Sequence, residues 1–220
     1  MTVDPIYGVF STSFTIALQE ELNRVVEEVP SLKPFRANLR PSGRSAIHRE
    51  NADGVPEIHA CPDGQYRYYN YFYPPFIYEI NWRSKHGDPV QWLVERNGDI
   101  ATLVDFNILH NSLRDRRTAS VTLLTTEETD NEEDPGIRIA YKTADFRNAR
   151  GEALPGALEI PFTSLLPLDE RSLVPADGQK AVLRITFEAL ASFLEAAELE
   201  QQACERSPPK KRNRGRITIA

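Results

Sequence analysis

Pro74-Pro75-Phe76-Ile77-Tyr78-Glu79-Ile80-Asn81-Trp82 is the stretch on which the reading of this chain turns. Two prolines open it, and the Phe, Ile, Tyr and Trp that follow fit a pleated, half-buried surface. The pattern predicts a strand over Phe76–Trp82, set inside a sheet. Glu79 disagrees with that setting. A carboxylate among apolar strand neighbours is costly unless it is paired or holds a cation. An edge position, or a pairing with Arg83, would satisfy it without any functional role.

The elements around this strand are expected to alternate in type. Upstream, Leu18, Leu22, Val25, Val26 and Val29 fall on one stripe and predict a helix over about 13–29, with Ser13 as N-cap and Pro30 as its stop. Residues 33–45 hold Pro34, Pro41 and Gly43 and read as a loop around a short extended segment. Val55 to Cys61 reads as a strand, and Pro62-Asp63-Gly64 as a turn. Downstream, Pro89 to Arg96 predicts a short helix capped by Asp88, followed by a strand from Ile100 to Leu109. Thr118–Thr125 alternates as a half-buried strand should, and Gly136–Tyr141 reads as its hairpin partner. A short strand at Leu158–Phe162 and a helix over about 187–203 complete the pattern. The fold class is therefore α/β (α+β), a mixed β-sheet flanked by helices.

The composition suits one folded body of 220 residues, 40% hydrophobic and 26% charged. No apolar run reaches the roughly 18–20 residues of a membrane helix, so no membrane association is expected. The N-terminus lacks a basic region leading into an apolar one, which predicts an intracellular, not secreted, protein. Cys61 and Cys204 are far apart, as in a reducing compartment, and the four histidines lack helical zinc spacing. Charge is distributed unevenly. Residues 206–220 hold six basic and no acidic side chains, leaving 20 basic against 32 acidic in residues 1–205, a net −12. The expected organisation is one domain over 1–205, an acidic loop at 127–134, and a disordered basic tail at 206–220.

Glu57 follows Pro56 at the start of the strand before Phe76–Trp82. Two carboxylates, Glu57 and Glu79, on neighbouring strands would converge on Mg²⁺ or Mn²⁺, an ion that holds a phosphodiester and activates water. The bland alternative leaves Glu57 solvated, or paired with Arg49 or Arg67. Pro56-Glu57, then about twenty residues, then a hydrophobic strand carrying Glu79 resembles the PD…(D/E)xK signature of restriction-endonuclease-like proteins. PPFIYEINWRS, the helix after it and DIATLVDFNI resemble a divergent branch of that superfamily that includes uncharacterised fungal members. The resemblance covers roughly residues 12–125. It implies a restriction-endonuclease-like core and metal-dependent phosphodiester hydrolysis on DNA.

By position, the resemblance gives Glu57 the first metal-ligand role and Glu79 the second. The backbone carbonyl of Ile80 is a further ligand, and Glu20 or Glu21 is the helical acidic residue. Asn81 stands where the family has lysine, and an amide supplies no positive charge. Lys85 is the nearest replacement; Arg83 stays charged and cannot act as a base. The alternative is a catalytically inactive nuclease-fold protein that serves as a nuclear protein-interaction module. By analogy with the superfamily a homodimer is expected.

Three other features bear on partners. Eight of the thirteen residues from 66 to 78 are aromatic, as in a hairpin whose rings cover the core, a base-stacking surface or a protein contact. The tail motif SPPKKRNRGR predicts nuclear localisation, with Lys210, Lys211, Arg212 and Arg214 gripped by an import receptor. The acidic run Glu127–Asp134 permits a third reading, an acidic histone-like or chaperone-like binder working through that run.

Overall fold

Ile6, Phe10, Phe14, Leu18, Leu22 and Val25 recur at intervals of three and four, and together they define one long helix, α1 (Pro5–Glu28). This corrects the expected start at residue 13. Ser13 is mid-helix, and the stripe continues upstream through Gly8 and the Ser-Thr-Ser run at 11–13, weak helix formers that obscure it. The computed structural model describes residues 5–50, 56–82, 90, 93, 99–111, 116–129 and 136–206. A 3₁₀ turn at Pro30–Leu32 follows α1. The next segment, expected as a loop around a short extended segment, forms that extended segment as strand β1 (Leu39–Pro41), but a short helix, α2 (Lys33–Asn38), stands before it where a loop was expected.

Ten strands are present among the described residues. After β1 come β2 (Ile47–Glu50), β3 (Pro56–Ala60), β4 (Gly64–Tyr68), β5 (Phe76–Trp82), β6 (Thr102–Asn111) and β7 (Arg116–Glu128). They are followed by β8 (Ile137–Arg147), β9 (Ala157–Pro161) and β10 (Val182–Thr186). Six of them form the main sheet in the order β1-β4-β5-β6-β7-β8. Every pairing in it is antiparallel except β5 with β6. A parallel pair needs a crossover, and the helical residues Val90 and Leu93 lie within it. Asp88, Lys85 and most of the helix expected at 89–96 lie outside the described residues.

The two faces of the sheet are covered differently. Tyr78, Ile80, Val104, Phe106, Val121 and Phe146 face α1 and α3 (Phe187–Arg206) in the larger core. Phe14 meets the Phe106 and Tyr78 rings edge-on at 4.8 and 5.0 Å, and Phe10 meets Phe106 at 5.0 Å. Each large side chain buried here contributes roughly 1.5–3 kcal/mol relative to exposure. Ile77, Leu103 and Leu124, one step out of phase along their strands, meet Ile47, Leu93 and Ile100 on the other face. The chain is thus a mixed α/β fold in which a six-stranded sheet is flanked by helices, as expected.

Candidate functional site

Glu79 lies at the centre of β5 on the same face as Ile77, whereas Tyr78 and Ile80 point toward α1. Its neighbours across the ladders create an acidic cluster. In the parallel register Glu79 stands opposite Asp105 of β6, and on the other side β4 begins at Gly64, directly after Asp63. Antiparallel pairing of β4 with β5 stops at Gly64↔Tyr78, so the Ile80 amide has no strand partner on that side. Asp63 fills the gap: its Oδ2 accepts the Ile80 N–H at 2.9 Å. That bond brings the Asp63 carboxylate, only 8% exposed, against Glu79.

Burial, above all, and then the charge and hydrogen bond of Asp63 push the Glu79 carboxyl up to about 9. Asp105 adds to the shift and the Arg44 guanidinium opposes it. Glu79 therefore carries a proton at neutral pH and donates it toward Asp63. Arg44 lies 3.5 Å from Asp63 Oδ1. On the same face, buried Asn81 donates its amide Nδ2–H to Asp105 Oδ1. A hydrogen-bonded pair of carboxyl groups, a third carboxylate and an ordered amide thus occupy neighbouring positions on β5, β6 and the turn that leads into β4.

The other side of Asp63 opens into a cleft of about 320 Å³ between α1 and the β4–β5 hairpin. Tyr78 anchors it. Its hydroxyl lies 2.7 Å from Ser11 Oγ and 2.8 Å from Thr15 Oγ1, and Ser11 Oγ donates to the Asp63 carbonyl at 3.3 Å. This arrangement depends on Gly64, because a Cβ there would sit 2.1 Å from the Tyr78 ring.

The expected site residues are dispersed. Among the described residues β3 pairs with β2 and not with β5, so the backbone of Glu57 is not on a strand adjacent to Glu79, which corrects that expectation. The backbone of Glu57 stands opposite Arg49, and its side chain lies outside the described residues. Ile80 meets the acidic pair through its amide. Glu20 is exposed one turn past Ile16, the last α1 residue to line the cleft. Glu21 is occupied by Arg24 at 2.8 Å and the Arg184 amide at 2.8 Å.

Asp63 is the residue that sequence reasoning missed. The signal was available: Pro62-Asp63 is itself a Pro-Asp dipeptide before the Glu79 strand, but Pro-Asp-Gly also spells a turn. Among the described residues, no group of three or more His, Cys, Asp or Glu side chains is arranged to hold a metal ion. The aromatic segment is mostly structural, with Tyr66, Tyr68, Phe76 and Tyr78 buried, while Tyr69 and Phe72 at the hairpin tip are 63% and 70% exposed. No protein family, curated protein or solved structure matches this chain.

Proposed function

We propose that this chain is a metal-dependent phosphodiesterase of the restriction-endonuclease-like kind, acting on DNA through Asp63 and Glu79. The observation that carries the proposal is the hydrogen-bonded contact between these two carboxyl groups in a mostly buried place. Two acids held together this way destabilise the fold, and sites that keep such groups despite the cost are candidates for chemistry.

The donor set fits an oxygen-seeking ion. Mg²⁺ or Mn²⁺ would be held by the Asp63 and Glu79 carboxylates and would supply charge stabilisation and an activated water. The chain's own residues prepare that place. The Ile80 amide orients Asp63, and Glu79 would give up its proton to make room for a cation. Arg44 presents the nearest described positive charge to a phosphate. Asn81, fixed by Asp105, offers a hydrogen-bonding amide where the family has lysine.

A second reading rests on Asn81 itself. An amide at the lysine position supports an inactive nuclease fold used as a nuclear interaction module, with Tyr69 and Phe72 as contact side chains. In both readings Lys210, Lys211, Arg212 and Arg214 engage an import receptor. Incubating the protein with supercoiled DNA, single-stranded DNA and RNA in Mg²⁺ or Mn²⁺ separates the two. The nuclease reading expects metal-dependent cleavage that Asp63→Ala and Glu79→Ala abolish. Intact substrates with a folded protein would select the inactive module.

A further inference from the structure

The cleft beside Asp63 has a composition unlike that of a surface built to grip duplex DNA. Among its described lining residues Arg44 is the single cation and Asp63 the single anion. The body around it is acidic, at net −12 over residues 1–205. A duplex groove gains affinity from many phosphate contacts, each releasing counterions, and one arginine supports one. The volume, about 320 Å³, lies at the small end of sites that enclose a small ligand.

The walls supply two further kinds of contact. Thr12 and the Ser11–Thr15–Tyr78 hydroxyl cluster can hydrogen-bond a sugar or a base edge. Tyr7 and Ile16, partly and half exposed, offer apolar surface for a base face. Two glycines keep the opening clear. Neither Gly8, inside α1, nor Gly43, with φ +54°, has any atom within 4 Å of where its Cβ would stand.

We propose that this cleft is a subsite for a single nucleotide, its phosphate on Arg44 and its nucleoside against the face of α1. Resting on the phosphodiesterase reading, this places one nucleotide of a single-stranded end or loop beside Asp63, the member of the acidic pair that lines the cleft. The substrate class is then single-stranded nucleic acid in preference to continuous duplex.

Titration with thymidine 5′-monophosphate in EDTA, followed by NMR shifts, tests binding apart from hydrolysis. The expected result is saturable binding that Arg44→Ala weakens at least tenfold and that Gly8→Leu abolishes. Gly8→Leu projects a side chain into the cleft from a helical position where leucine favours the helix over glycine, so its fold is retained. Two results would overturn the proposal: no binding by the wild-type protein at 10 mM nucleotide, or binding unchanged in both variants. Inorganic phosphate binding as tightly as the nucleotide would also overturn it, because the nucleoside would then contribute nothing. Binding that persists in a protein unable to cleave any substrate leaves the subsite standing and removes the phosphodiesterase reading. Cleavage without nucleotide binding does the reverse.

Discussion

Glu79 is buried beside another carboxylate. Burial and then Asp63 push its carboxyl up to about 9 in the folded chain from an ordinary 4.5, so the native state keeps its proton over a range where the unfolded chain has lost it. Stability from this group is present below about pH 4.5 and declines as pH rises toward 9. Glu79→Gln removes the titration. The variant is expected to match the wild type near pH 5 and to exceed it by about 1–2 kcal/mol at pH 8, after allowance for solvent screening. Denaturant unfolding at the two pH values measures this, and parallel curves for the two proteins would contradict it. Tyr78 makes a second prediction at this scale. Tyr78→Phe removes the hydroxyl between Ser11 and Thr15 and is expected to cost about 1–2 kcal/mol by the same measurement. An unchanged midpoint would mean that water replaces the bond.

At the scale of elements, β8 and α3 are joined by one buried ion pair. Arg147 Nη2 donates to both carboxylate oxygens of Glu198, at 2.8 and 3.0 Å, and Arg147 is only 2% exposed. Removing one partner leaves a buried charge alone, so Glu198→Ala is expected to destabilise the fold by about 3–5 kcal/mol. Thermal unfolding of Glu198→Ala and of Arg147→Met with Glu198→Leu checks this. The double variant should recover most of the loss, and a double variant as unstable as the single one would refute the argument. Elements differed in how plainly the sequence announced them. β5 was legible to the residue, since Pro74-Pro75 opens it and apolar β-formers fill it. The first half of α1 was hidden by Gly8 and three hydroxyl residues, although Ile6, Phe10 and Phe14 keep its period. The strand β10 was missed altogether: Val182–Thr186 alternates over only five residues and depends on pairing with β9.

For the whole molecule, mixed α/β class followed from the order of elements, but the site did not. Site geometry depends on which strands become neighbours, and that is a property of tertiary pairing. Glu57 and Asp63 are six residues apart, each directly after a proline. The pairing of β4 with β5 is what carries Asp63 to Glu79, while the backbone of Glu57 lies on β3, paired with β2. Charge is likewise a property of the whole chain. With an acidic body, non-specific duplex affinity is expected to come mainly from the basic tail. Deleting residues 207–220 removes five cations and should lower the slope of log K against log salt by about four to five. Filter binding across salt concentrations measures it, and an unchanged slope would locate the phosphate contacts on the body instead.

Asp63 and Glu79 are proposed to form a cation site whose proton is exchanged for metal. Mn²⁺ titration by calorimetry at pH 8, in two buffers of different ionisation enthalpy, tests this most directly. One ion bound per chain with release of about one proton is expected, and loss of both signals in Asp63→Asn and Glu79→Gln. Mn²⁺ binding that survives in both variants, or no binding by the wild-type protein, would contradict it.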